Sequence, residues 1–125
     1  MRIACAVASL VVLLALACEG GRKDPSGVRP ITGGDATRGE HAIHAHGCGA
    51  CHTIPGIRGA HGTVGPSLDA FAKRTFIAGE LPNTPENLVR WILDPRAVHP
   101  KTGMPVLYLE RQEARDVAAY LYTLD

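Results

Sequence analysis

Cys48-Gly49-Ala50-Cys51-His52 is the stretch that decides how this 125-residue chain is read. Two cysteines on one tight turn can reach the two vinyl groups of a single porphyrin as thioethers. The histidine that follows can then turn its imidazole to the iron from one face. Gly49 and Ala50 are small, which would let the backbone lie close to the ring edge. Three other chemistries share the spacing. A thioredoxin-like redox pair needs a βαβ context that the flanking pattern does not supply. Half a zinc site would have to be completed by His41, His44, His46 or His61. A structural disulfide would close a very short loop. Haem is preferred because the motif coincides with an export signal, a helical pattern and a candidate for the second axial position.

That candidate is Met104, in Thr102-Gly103-Met104-Pro105. Met1 belongs to the expected export signal, which leaves Met104 as the methionine of the processed chain. Histidine with methionine is the ligand pair of electron-carrying c-type haems. An irregular segment can bring a thioether over the far face of a ring, where a rigid helix could not easily wrap round. The other role for Met104 is a gap-filling core side chain. Histidine competes for the iron: His99 lies five residues upstream, and His61 sits in the loop after the attachment motif. Either would give bis-histidine iron of lower potential. His41, His44 and His46 precede the motif on or near the first helix and read as surface or packing groups.

Outward from the motif, the pattern is helical. Asp35 is a good N-cap, and Ala36 to Ala45 can form a helix with Ala42, Ile43 and Ala45 on its modest apolar side. Gly47 to Pro66 is rich in glycine and reads as loop. Ser67 to Arg74 reads as a short helical turn with Leu68 and Phe71 on one side. Thr84 caps the next helix and Pro85 fits its first position, while Asp94 before Pro95 discourages continuation. Leu88, Trp91 and Ile92 share its buried face. Ala97 to Leu109, with two prolines and a glycine, is irregular. Glu110 to Leu124 is the last helix, with Val117, Leu121 and Leu124 in line and Ala114 and Ala118 as small neighbours. No strand pattern competes, so the expected fold class is all-α.

The N-terminus carries Arg2 and then an apolar run from Ile3 to Leu16, too short to span a bilayer comfortably and ending in Ala15-Leu16-Ala17. This is the form of a cleavable signal peptide over residues 1–17. Cys18 follows, and small residues before a new N-terminal cysteine resemble a bacterial lipoprotein signal. Cys18 is therefore a candidate acyl anchor, with ordinary cleavage to a free protein as the alternative. Residues 18–34 read as a flexible tether and residues 35–125 as the folded domain. Arg2 is one of the 13 Lys plus Arg, so the chain beyond residue 17 has 12 cations against 12 Asp plus Glu. That balance gives no basic patch of the kind nucleic acid requires. Aromatic content is 5%, thin for a core of this size, and a bound apolar macrocycle would fill the deficit.

From Gly34 to Leu124 the sequence resembles class I cytochromes c, small monohaem proteins whose N- and C-terminal helices cross beside the attachment site. The resemblance rests on Gly47 to His52, Gly65-Pro66-Ser67-Leu68, Gly103-Met104-Pro105 and Val117-Ala118-Ala119-Tyr120-Leu121. Leu81 to Leu88, with Trp91-Ile92 and Asp94-Pro95, is similar to the cytochrome c domain that some terminal oxidases carry fused to their copper subunit. Without the copper-binding domain, this chain is expected to be a free-standing relative. The resemblance implies one haem c held by Cys48, Cys51, His52 and Met104, with His52 and Met104 on the iron. It implies that the Pro66 carbonyl accepts from the outer ring nitrogen of His52. It gives Trp91 a choice between a haem propionate and plain core, and it places Tyr120 near the first helix. Where the family often has an aromatic before the attachment motif, this chain has His44 and His46.

The function so implied is a single-electron carrier of an envelope respiratory chain, without substrate turnover of its own. Its partners would be a respiratory oxidase or dehydrogenase. Attachment of haem c takes place outside the cytoplasm, which suits the periplasm or the outer face of the membrane. Two other roles stay open: an electron-relay subunit of a membrane oxidase or dehydrogenase complex, and a haem-based gas sensor or peroxidase-like enzyme with an iron position readily vacated.

Overall fold

The computed structural model describes residues 31–125. The expected signal peptide, Cys18 and the tether up to residue 30 lie outside the described residues. Helix α1 spans Ala36–Ala45, and Asp35 caps it by accepting the Arg38 N–H at 2.8 Å. Such a cap contributes about 1 kcal/mol. Helix α2 spans Pro85–Leu93, with Thr84 accepting the Asn87 N–H at 3.3 Å and Pro85 in the first turn. Asp94 both ends α2 and caps the four-residue α3, Pro95–Val98, by accepting the Ala97 N–H at 3.0 Å. The irregular stretch therefore begins slightly later than expected. Proline at the first position of a new helix costs nothing, because its missing N–H would have no partner there.

Helix α4 spans Arg111–Leu121 and opens with a reciprocal capping box between Glu110 and Glu113. It stops three residues before the expected end. The Thr123 and Leu124 N–H groups tighten onto the carbonyls of Tyr120 and Leu121, and the Thr123 hydroxyl also donates to Tyr120 at 2.6 Å. Leu124 still joins the core together with Ala114, Val117, Ala118 and Leu121. Those residues pack with Ala42 and Ile43 of α1 and with Leu88, Val89 and Ile92 of α2. Each buried aliphatic side chain contributes about 1.5–3 kcal/mol.

The expectation of no strands needs a small correction. Strand β1, Phe76–Ile77, pairs antiparallel with β2, Leu81–Pro82. The Glu80 N–H closes the turn on the Ile77 carbonyl at 2.9 Å, with Ala78 and Gly79 at φ 52° and 74°. Two-residue strands are too short to show alternation in a sequence. Ser67 to Arg74 is also less helical than expected, contributing one 3-10 turn at Phe71–Lys73. Phe71 is nonetheless buried and Leu68 packs against the core. The fold is mostly helical with a minimal ribbon.

α1 makes its main packing contact with α4, and a carboxylate locks the pair. Asp116 is buried on α4. It accepts from the Asp35 N–H at 2.9 Å, from Arg38 Nε at 2.8 Å and Nη2 at 2.9 Å, and from Gln112 at 3.0 Å. The hydrogen bonds from Arg38, then that of the Asp35 backbone, outweigh burial and hold the Asp116 carboxyl below its ordinary pKa. A depressed folded pKa adds stability above the unfolded value, near pH 4, and that stability fades as pH falls through the folded value. Asp116→Asn should therefore cost about 1.5 kcal/mol at pH 7, the low end for charged hydrogen bonds because Arg38 is largely exposed. The loss should shrink as pH falls below about 4 and the Asp116 carboxylate takes up its proton. Urea unfolding at pH 7 and through the acid range checks it, and a loss that does not change with pH would refute the charge-based account.

Candidate functional site

At the end of α1, Gly47 takes φ 68° and turns the chain into a 3-10 turn over Cys48–Ala50. Glycine adopts this left-handed conformation at no steric cost. The N–H groups of Cys51 and His52 both donate to the Cys48 carbonyl, at 3.2 and 3.0 Å. This winding sets Cys48, Cys51 and His52 on the wall of one cavity of about 630 Å³. Cys48 and Cys51 are not joined in a disulfide. Burial pushes the Cys48 thiol above its ordinary pKa. Among the described residues, no group of three or more His, Cys, Asp and Glu is placed to hold a metal ion.

Gly49 and Ala50 do not do what the sequence suggested. They are not on the cavity wall. A Cβ at Gly49 would come 2.7 Å from the Ala60 Cβ, and one at Gly62 would come 2.5 Å from the Ala50 carbonyl oxygen. The small residues let the loop after the motif close behind the turn, where the Gly62 N–H donates to the Gly49 carbonyl at 3.1 Å.

His52 is bracketed from the next loop. Its Nδ1 lies 2.7 Å from the Pro66 carbonyl oxygen, as the resemblance implied. With Nδ1–H donating there, Nε2 keeps its lone pair for a metal, and the hydrogen bond raises its basicity. The Gly65 N–H donates to the Cys51 carbonyl at 2.8 Å, and any Cβ at Gly65 would run into the His52 ring.

Met104 reaches the same cavity from the segment between α3 and α4. Its N–H donates to the Thr102 hydroxyl at 3.2 Å, and the Thr102 N–H to the His99 carbonyl at 2.9 Å. His99 also lines the cavity, with Nδ1 2.9 Å from Glu80 Oε1. His61 is exposed, bridges to Thr53 and lies away from the cavity. His41 and His44 are exposed, as expected. His46 is on the wall with Nε2 3.3 Å from Glu113 Oε1. Trp91 is half-buried on the wall. The Tyr120 hydroxyl donates to the Pro55 carbonyl at 2.8 Å, and its Cβ lies against Gly39 of α1.

Most of the remaining wall is apolar, including Ile43, Leu88, Ile92, Leu107, Val117 and Leu121. Its volume falls within the usual range for small-molecule and cofactor sites. Two thiols, an oriented imidazole and a thioether on one apolar wall fit the donor set of a covalent haem. Sequence reasoning missed Arg74, whose guanidinium lies on the wall, donates to the carbonyls of Ser67 and Asp69, and stacks 5.3 Å from the Phe71 ring centroid. The signal available was a cation three residues beyond an aromatic.

Comparisons with known proteins agree with this geometry. The family model for cytochrome c matches residues 36–125. The chain is similar to cytochrome c oxidase subunit 2 of Alkalihalophilus pseudofirmus, 32% identical over 90 residues, covering 71% of this chain and 25% of that protein. It is 29% identical over 107 residues to the same subunit of Bacillus sp. strain PS3, covering 82% of this chain and 30% of the relative. For Bacillus subtilis the figures are 29% over 89 residues, with 70% and 25% covered. The chain thus spans less than a third of the length of these curated relatives.

Proposed function

The chain belongs to the cytochrome c family, and from that premise we propose that it is a single-electron carrier of an envelope respiratory chain. Cys48 and Cys51 would hold one haem c covalently, and His52 and Met104 would ligate its iron. The observation that carries this is convergence: two thiols, an imidazole oriented by Pro66 and a thioether from a distant segment line one apolar cavity. Bound haem supplies one-electron exchange between ferrous and ferric iron.

The chain's own residues do the remainder. Cys48 and Cys51 fasten one edge of the porphyrin. The Pro66 carbonyl holds the His52 proton on Nδ1, so the ligating nitrogen is fixed in tautomer and direction. Leu88, Ile92, Val117 and Leu121 exclude water and lower the local dielectric, which bears on the potential. With His52 and Met104 both engaged, little of the chain would have to rearrange on electron transfer. His99 is engaged through Nδ1 with Glu80, which leaves its Nε2 able to ligate, so Met104 is preferred over His99 because histidine with methionine is the ligand pair of electron-carrying c-type haems. The export signal over residues 1–17 and the candidate anchor Cys18 support the envelope as its location, on the periplasmic side.

Met104→Ala tests the assignment. The variant should lose the near-infrared thioether-to-iron charge-transfer band of the oxidised protein. Its potential should fall, because a thioether favours ferrous iron more than water or imidazole does. An unaltered spectrum and potential would transfer the role to His99. A second function is favoured by the relatives, all of which are oxidase subunits. There the chain would be a fixed relay within a membrane oxidase complex, and stoichiometric co-purification with such a complex would distinguish it from a diffusing carrier.

A further inference from the structure

We infer that Glu80 and His99 form a clasp that holds the Met104 segment closed over the cavity, which makes both of them positioning residues for the second axial ligand. The inference rests on the proposed role of Met104. Between α3 and α4, residues 103–109 make no backbone-to-backbone hydrogen bond among those of the described residues. Pro105 has no N–H to offer, and the Met104 N–H turns inward to Thr102 of the same segment. The Thr102 N–H in turn donates to the His99 carbonyl at 2.9 Å. The position of Met104 is therefore referred back to His99 at one end of the segment. At the other end it depends on the packing of half-buried Leu107 and buried Leu109.

His99 is where this segment meets a different part of the fold. Its Nδ1 lies 2.9 Å from Glu80 Oε1, and Glu80 stands at the tip of the β1–β2 ribbon. That ribbon is rigidly based. The Asn83 N–H donates to the Thr75 carbonyl at 2.9 Å, and its side-chain amide donates to Phe71 and Arg74 carbonyls at 3.1 and 3.0 Å. The Tyr122 hydroxyl donates to Asn83 Oδ1 at 2.8 Å, and Tyr122 is completely buried beyond the end of α4. A chain of named contacts thus runs from the core through the ribbon and Glu80 to His99, Thr102 and Met104. Ile77 and Ala78 of the ribbon also line the cavity, so ribbon and ligand segment are neighbouring parts of one wall.

The clasp's contribution is limited by exposure, since the two side chains are 43% and 46% exposed. A hydrogen-bonded contact between two half-exposed side chains changes an equilibrium by about two- to fivefold. Stability of the whole domain would barely register this, whereas displacement of the Met104 thioether by an outside ligand reads it directly. The haem-loaded full chain, oxidised, is titrated with imidazole while the thioether charge-transfer band is followed. Glu80→Ala and His99→Ala should each raise imidazole affinity about two- to fivefold. The double variant should do no more than either alone, because both remove one interaction. Glu80→Gln, which keeps a hydrogen-bond acceptor, should recover part of the closure.

Unchanged affinity in both single variants, or effects that simply add in the double variant, would overturn the clasp. Failure of the underlying ligand assignment looks different: the band would be missing from the parent protein, or would survive Met104→Ala. Either of those results removes the clasp as well. A parent band that behaves as expected, with imidazole binding indifferent to Glu80 and His99, removes the clasp alone.

Discussion

Cys48→Ala with Cys51→Ala should yield a chain with no covalently attached pigment, and a processed mass lower by one haem. The two thiols share a wall with His52 and Met104, so the double variant retains both proposed iron ligands and still has a place for the ring. It could bind haem reversibly, but the pigment should then extract completely into acidified organic solvent, whereas that of the parent stays with the polypeptide. Each single variant keeps one thioether and should remain pigmented after extraction. The second consequence is structural. The cavity is about 630 Å³, and voids in native interiors are rarely larger than a water molecule. Covalent attachment keeps the ring at effectively unlimited local concentration, whereas a reversible ligand stabilises only through mass action. Thermal unfolding of the double variant should thus depend on added haem, and that of the parent should not. Pigment that survives extraction in the double variant would show that these cysteines are not the points of attachment.

How much of this was legible beforehand depended on the range of the interaction that carries each feature. The bounds of α1 were readable because Asp35 caps it locally, and α2 because Thr84, Pro85 and Asp94 punctuate it within ten positions. The attachment turn was readable for the same reason, being one turn of chain. Asp116 was not. Its partners Asp35 and Arg38 lie 81 and 78 positions away, and a carboxylate on a helix reads as a solvated face until that helix is docked. Gly49 was misread because smallness alone does not say which neighbour approaches, and Ala60 rather than the cavity occupies its free side. The ribbon of β1 and β2 was hidden because two-residue strands have no period. His99 was visible only as a rival ligand, since its partner Glu80 belongs to that unseen ribbon. Met104, by contrast, could be singled out without any geometry, because beyond Met1 the sequence offers no second methionine.

The closest approach of α1 and α4 yields the other large effect. Gly39 is buried at the crossing, and a Cβ there would overlap the Asp116 carbonyl oxygen, lie 2.6 Å from its carbonyl carbon and 3.0 Å from the Tyr120 Cβ. Two opposed terms decide the outcome for alanine. In mid-helix, alanine is favoured over glycine by about 1 kcal/mol, while overpacking a tight contact costs about 1–3 kcal/mol. The obstructing atoms are backbone and a Cβ, which cannot swing aside, so the second term prevails. Gly39→Ala should lose up to about 2 kcal/mol. Gly39→Val gives up most of the propensity gain and adds two methyl groups at the same point, for a loss of about 3 kcal/mol or more. Moving the helices apart would also stretch the bonds from Arg38 and the Asp35 N–H to Asp116, and α1 leads directly into the Cys48 turn. The valine variant should therefore show a lower yield of haem-loaded protein as well as a lower urea midpoint. Urea titrations of the loaded proteins at pH 7 separate the cases. A Gly39→Ala protein more stable than its parent would mean that helix propensity outweighs contact at the crossing, and that the two backbones do not need glycine to meet.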